Sequence, residues 1–353
     1  MLTLAMIVKN ESEKLGRCLE SVRSIVDEIV VVDTGSVDDT KKIASAYGAR
    51  VFDFQWVNDF SAARNFALEQ CEGDWILVLD ADDRIIKASR KEIDDFITNN
   101  NSLGRIRITN SFDYDGELRE SEANVTRLFP KGLFYTGKIH EQIVSDLPRK
   151  NVPIYVYHDG YYKSDKYKRN IKMLELELDQ YPDDNYLLYQ LGKEYRIIKD
   201  FINAEAYLSR CYSGITDIDG YKPQLIIECL YTMLGVGNFE EGLALIEREA
   251  RLLSDFPDFY FVSGLFYMEL VFSDINKYMR YFPLIEKSYL KCLSIGDTDK
   301  YESVKGTGTF LATYNLAVFY ETTGDLNKAR KYYELSAQYN YKLARKRFEI
   351  LSG

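Results

Sequence analysis

The chain has 353 residues, 46% of them hydrophobic and 28% charged, a folded make-up too long for one ordinary core, so two domains are expected. Its 45 basic residues against 55 acidic ones leave a net charge of −10, which excludes a general nucleic-acid or anionic-membrane surface. A phosphate-bearing ligand would need a local site and a metal ion.

The cysteines, Cys18, Cys71, Cys211, Cys229 and Cys292, form no CxxC pair. Their scatter argues against a disulfide framework and a zinc site, and fits a reducing cytoplasm. The first eight residues are apolar but too few for a leader, and no basic segment precedes them. The apolar run 259–272 is broken by Glu269 and too short for a bilayer, so a soluble protein is expected.

The opening hundred residues alternate strand and helix patterns. Residues 2–8 read as an apolar strand, and Ser12 caps a helix that carries Leu15, Leu19 and Val22 on one face. A strand at 29–32 precedes a helix over 40–47 that stops at Gly48. A strand at 51–54, a helix at 61–70 and a strand at 75–79 follow. Apolar strands alternating with helices predict a mostly parallel sheet covered on both faces. Ligands of such sheets bind outside the carboxyl ends of the strands. Those ends here are Lys9-Asn10-Glu11, Asp33-Thr34-Gly35-Ser36 and Asp80-Ala81-Asp82-Asp83.

From about residue 170 the pattern becomes helical. "YLLYQLGKEYRIIKDFINAEAYLSRCY" (186–212) and "TYNLAVFYETTGDLNKARKYYELSAQYN" (313–340) share a layout of small residues at crossings and tyrosines between them. Residues 230–249 are a more degenerate copy, and 257–295 a longer divergent pair. The layout resembles the tetratricopeptide unit. An array of this kind serves as a scaffold, a partner-binding surface or a homodimer interface.

"WILVLDADD" (75–83) places three aspartates where a buried strand ends, a costly arrangement without compensating charge. In extended backbone Asp80 and Asp82 point to one side, and their hard oxygens suit Mg²⁺ or Mn²⁺. A capped acidic turn is the plainer alternative. No GxGxxG follows the first strand, no Walker sequence is present, and "GTGTF" (306–310) reads as a loop.

"MIVKNE" (6–11), "VVDTGSVDDT" (31–40) and "AARNFALEQCEGDWILVLDADD" (62–83) resemble, in order and spacing, the opening motifs of family-2 glycosyltransferases with a GT-A fold. The resemblance covers roughly residues 1–165 and extends to a tetratricopeptide-like tail. That subgroup includes enzymes of envelope glycan assembly and the peptide glycosyltransferases that modify Cys or Ser of bacteriocins.

The resemblance implies a GT-A domain over residues 1–168 and an all-α repeat domain over 169–353. It implies a nucleotide-sugar pocket formed by Val8, Asn10, Glu11, Asp33, Arg64, Asn65, Asp80 and Ala81, with Asp33 on the base. Asp82, with Asp80 and His158, would hold Mn²⁺ or Mg²⁺. Asp83 stands where many relatives have glutamate. The two histidines, His140 in "FYTGKIHEQI" and His158 in "IYVYHDGYYKSDKYKRN", fall in motifs of the acceptor side and the final metal ligand. Glu141 is the candidate base, Asp159 the second choice, and His140 a further catalytic candidate. Lys166, Lys168 and Arg169 form a basic patch that would close over a diphosphate or sit solvated at a helix start. The implied reaction is an inverting, metal-dependent transfer of glucose or a related hexose from a UDP-sugar to a peptide Cys or Ser. A cell-envelope glycan or lipid-linked acceptor is the alternative, and an inactive repeat scaffold the reading of another class.

Overall fold

A computed structural model of the chain describes residues 1–114, 116–159 and 166–352, so Gly160 and Tyr161 of the second histidine motif lie outside the described residues. The chain divides into two compact units, Met1–Glu177 and Leu178–Gly353.

The first unit opens with β1 (Leu2–Val8), α1 (Leu15–Val22), β2 (Glu28–Asp33), α2 (Thr40–Ala46), β3 (Arg50–Asp53), α3 (Phe60–Gln70) and β4 (Trp75–Val78). It continues with β5 (Asp83–Lys87), α4 (Arg90–Asn99), β6 (Leu103–Tyr114), β7 (Glu117–Pro130), β8 (Tyr135–Thr136), β9 (Gln142–Ile143), β10 (Arg149–His158) and α5 (Lys166–Leu178). The strands run in the order β3-β2-β1-β4-β7-β6-β10-β5. β1, β2, β3 and β4 pair in parallel, whereas β7 lies antiparallel to β4 and β6. The sheet is thus mixed, parallel in the half that carries the first four strand ends.

Alternation along β1 explains how both faces are covered. Leu2, Leu4, Met6 and Val8 enter one core with Leu15, Leu19 and Val22 of α1 and Ile93 and Phe96 of α4. Ala5 enters the other core, with Leu68, Phe129, Tyr135 and Ile143. Each fully buried leucine or valine contributes about 1.5–3 kcal/mol. The capping role expected of Ser12 does not occur. Its backbone N–H donates to Asp38 Oδ2 at 3.1 Å, and α1 begins at Leu15 with no side-chain cap. That bond ties the loop after β1 to the loop after β2, and Lys14 N and Leu15 N both donate to Glu11 O in the turn that precedes the helix.

The second unit is built of helices α6 (Asn185–Ile197), α7 (Phe201–Gly214), α8 (Lys222–Val236), α9 (Phe239–Glu249), α10 (Pro257–Ser273), α11 (Ile275–Tyr278), α12 (Phe282–Ile295), α13 (Phe310–Thr322), α14 (Leu326–Ala337) and α15 (Lys342–Ser352). The repeat is physical. In the α6–α7 pair Tyr195 stacks on Tyr207 at 5.6 Å, and in α13–α14 Tyr320 stacks on Tyr332 at 5.5 Å. Asp200 caps α7 and Asp325 caps α14, each through the N–H three residues on. Gly192 lets α7 approach, since a Cβ there would lie 2.6 Å from Leu208 Cγ. The apolar stretch expected to be a divergent pair forms α10 and α12, with α11 between them. Among the described residues no helix is long and apolar enough to cross a membrane. All five cysteines are free and buried. Burial pushes the thiols of Cys71 and Cys211 up to about 12 and those of Cys18, Cys229 and Cys292 upward as well.

A buried carboxylate organises the loop before α13. Asp258 accepts from Ser303 Oγ at 2.6 Å, Thr307 Oγ1 at 2.5 Å and Val304 N at 2.8 Å. Burial nevertheless raises its pKa to about 6, against its three hydrogen bonds. The folded value exceeds that of an unfolded aspartate, so the native state keeps a proton between about pH 4 and 6 that the unfolded chain has released. This group's contribution to stability therefore falls as pH rises through that window, by up to about 3 kcal/mol. The difference in denaturation midpoint between wild type and Asp258→Asn, followed from pH 4 to 7, should change across that window and be flat above it. Gly242 faces Phe266 Cζ, which a Cβ would approach to 2.2 Å. Gly242→Val should lower stability by about 1–3 kcal/mol in chemical denaturation, because the buried Phe266 ring has nowhere to move.

Candidate functional site

The ends of β1, β2 and β4 meet at one edge of the sheet, stitched by side-chain bonds between their loops. Thr34 N and Thr34 Oγ1 both donate to Val8 O, at 2.9 and 3.1 Å. Asn10, in the left-handed region at φ 54, takes a bond from Val37 N on Oδ1, and its own N–H donates to Ser36 Oγ at 2.8 Å. Glu11 N donates to Thr40 Oγ1 at 2.7 Å. Burial and the charge of Asp82 raise the Glu11 pKa.

Asp33 closes β2 and is 1% exposed. Its Oδ1 accepts from Gly35 N at 2.9 Å and Ser36 N at 2.8 Å, the first at φ 107 where glycine costs least. Its buried Oδ2 has no hydrogen-bond partner among the described residues. Such an orphaned acceptor is ready for an N–H brought by a ligand.

After β4 the chain turns instead of staying extended. Asp83 N donates to Asp80 O at 3.0 Å, and Asp80 N donates to Asp83 Oδ2 at 2.8 Å, with buried Ala81 inside the turn. The expected same-side alignment of Asp80 and Asp82 rested on extended backbone, and the turn separates their partners. Asp80 goes to two arginines, Arg64 Nη2 on Oδ1 at 2.8 Å and Arg127 Nη2 on Oδ2 at 2.9 Å. Burial acts to raise its pKa, but those guanidiniums hold the carboxyl far below its ordinary range.

Asp82 and Asp83 join His158. β10 runs antiparallel to β5 with His158 directly opposite Asp83, and His158 Nδ1 lies 2.8 Å from Asp83 Oδ1 and 3.5 Å from Asp82 Oδ1. One ligand atom from each of the three lies within 4.8 Å of the others. All three are buried, Asp83 completely. Two carboxylates and an imidazole are the donor set that suits Mn²⁺ or Mg²⁺, so the residues fit the expected metal. Burial opposes the imidazolium, yet the hydrogen bond to Asp83 and the charges of Asp82 and Asp83 outweigh it, and the His158 pKa lies above its ordinary value. Lys166 Nζ lies 3.2 Å from Asp82 Oδ2.

His140 and Glu141, expected on the acceptor side, lie on the segment between β8 and β9. Phe60 N donates to Lys138 O at 2.8 Å, and Lys138 N donates to both oxygens of Glu177 in α5. Asn65 clasps the same segment: its Nδ2 donates to Tyr135 O, and Tyr135 N donates to its Oδ1. Both ends of that amide are thereby committed to backbone. His140 occupies the left-handed region at φ 52, unusual for a residue other than glycine. Glu141 accepts from Arg64 Nε, so Arg64 joins the sheet edge to the segment between β8 and β9. Asp159 is 29% exposed, 2.6 Å from Arg17 Nη2 and 3.4 Å from Lys14 Nζ. Burial would raise its pKa, but Arg17 and then Lys14 hold it below the usual value.

Two participants were not assigned from the sequence: Asp83 as a member of the metal group, and Arg127. The signal for Arg127 is a lone cation in the strand "NVTRLF", whose Leu128 pairs with Leu77. Recognising it requires knowing that β7 lies beside β4.

Residues 3–168 match the model of glycosyl transferase family 2. The SPbeta prophage-derived glycosyltransferase SunS of Bacillus subtilis is 30% identical over 251 residues, 65% of this chain and 58% of that protein. A TPR repeat-containing protein of Synechococcus elongatus is 52% identical over 91 residues, 26% of this chain and 23% of its own length. An uncharacterized glycosyltransferase of Rickettsia felis is 40% identical over 96 residues, 27% of this chain and 34% of its own. This chain thus covers less than two thirds of each of these relatives.

Arg64→Leu should cost about 3 kcal/mol in chemical denaturation, since it strands the charges of Asp80 and Glu141 beside a core.

Proposed function

From the match of residues 3–168 to the model of glycosyl transferase family 2 we propose that the protein transfers a hexose, glucose or a close relative, from a UDP-sugar to a peptide Cys or Ser side chain. The observation that carries the reading is the buried Asp82, Asp83 and His158 group at the carboxyl edge of the sheet.

In this reading Asp33 Oδ2 accepts from the uracil N–H, and the loops around Val8, Asn10 and Glu11 shape the nucleoside pocket. Asp82, Asp83 and His158 hold a divalent cation, Mn²⁺ or Mg²⁺. When bound, that cation supplies Lewis-acid stabilisation of the leaving diphosphate. Asp80 keeps Arg64 and Arg127 in place, and Arg64 in turn orients Glu141. Asn65 acts by position, fixing the segment that carries His140 and Glu141.

Glu141 is the better-placed base. Both candidate carboxylates are ion-paired, Asp159 with Arg17 and Lys14 and Glu141 with Arg64, so position decides between them. Glu141 shares Arg64 with the donor side, which sets it at the junction where an acceptor would meet the sugar. A thiol needs less help than a hydroxyl because its ordinary pKa is near 8.5. A peptide suits the repeat unit, since stacked helix pairs present the extended surfaces that hold peptides. Free, buried cysteines fit work in the cytoplasm.

Screening UDP-sugars with Mn²⁺ for UDP release, followed by mass spectrometry of candidate peptides, tests the reading. Asp82→Ala should lower kcat at least about 100-fold and EDTA should abolish turnover. An Asp82→Ala enzyme that kept most of its activity would refute the metal assignment. Absence of metal-dependent UDP binding would instead make the protein a scaffold.

A further inference from the structure

The Asp82 side chain is only 6% exposed, yet each of its oxygens faces a group able to carry positive charge. His158 Nδ1 lies 3.5 Å from Oδ1, and Lys166 Nζ lies 3.2 Å from Oδ2. Lys166 is the first residue of α5, and its side chain is 37% exposed, so it reaches inward from solvent to a carboxylate that does not. Asp83, with no exposure, and Glu11 add further negative charge on the same side. Carboxylates gathered in this way require a cation. Lys166 supplies one from the chain itself.

An ammonium on Asp82 Oδ2 and a divalent cation on the same carboxylate draw on one negative charge and repel each other. We propose that Lys166 is the built-in counter-ion of Asp82: a divalent cation must displace it, and the released ammonium then pairs with the diphosphate oxygens of the donor. The inference rests on the reading of Asp82 as a metal ligand. Its consequence is coupling. The metal alone pays the cost of evicting Lys166, whereas metal and diphosphate together offer the lysine a new partner. Each therefore strengthens the other's binding by the same factor.

The test uses the full chain, with Mn²⁺ as probe and the bound fraction read from the electron paramagnetic resonance of the free ion. Without nucleotide, Lys166→Met should bind Mn²⁺ about tenfold more tightly than wild type, and Lys166→Arg, which keeps the charge, should stay near wild type. Asp82→Asn should lose the binding. At saturating Mn²⁺, Lys166→Met should bind UDP about tenfold more weakly. If Asp82→Asn loses Mn²⁺ while Lys166→Met binds it no better than wild type, the counter-ion role is overturned and the metal site stands. If Asp82→Asn binds Mn²⁺ as wild type does, the metal reading beneath the proposal fails. Unchanged UDP affinity in Lys166→Met would overturn the transfer of the ammonium to the diphosphate.

Discussion

Arg64 and Arg127 converge on the two oxygens of Asp80, and Arg64 continues to Glu141. These contacts join four elements that are remote in sequence: the end of β4, helix α3, strand β7 and the segment between β8 and β9. Arg64 is 8% exposed, so its charge is tolerated only while the carboxylates stay in place. The same requirement fixes the carboxylates. Asp80 cannot rotate toward another cation without taking its carboxylate from Arg127 and leaving Arg64 to Glu141 alone. The edge of the sheet is therefore pre-organised before any ligand arrives, which is the condition for electrostatic assistance in a transfer reaction.

The turn at Asp80 divides the acidic run between two tasks. Asp80 anchors the arginines, while Asp82 and Asp83 gather around His158. The division follows from hydrogen bonds between Asp80 and Asp83, which fold the chain back on itself. Neighbouring aspartates thus end in different electrostatic surroundings, one dominated by two guanidiniums and the others by an imidazole and the partly exposed ammonium of Lys166. Position in the motif alone would not have separated them.

Much of this was legible in the sequence, for definable reasons. The first four strands and their intervening helices follow from apolar runs and periodicity, and the polar ends of β1, β2 and β4 mark the edge at which a site could form. The helix pairs show because small residues and tyrosines recur at fixed offsets, and the stacked Tyr195–Tyr207 and Tyr320–Tyr332 pairs are their outcome. What escaped depends on pairing across long separations. His158 meets Asp83 because β10 lies antiparallel to β5, and Arg127 meets Asp80 because β7 lies beside β4. Neither registration leaves a local mark. Ser12 shows the opposite failure: a residue suited to capping caps nothing, and α1 begins only at Leu15.

The buried cysteines bear on the chemistry of an acceptor thiol. Each of Cys18, Cys71, Cys211, Cys229 and Cys292 is enclosed in a core, and burial keeps its sulfur protonated. A thiol in that state is a poor nucleophile and has no path to a sugar donor. On the proposed reading of a thiol acceptor, the folded protein consequently does not compete with its substrate for the donor. An alkylating reagent would mark an exposed thiol and leave the native protein untouched.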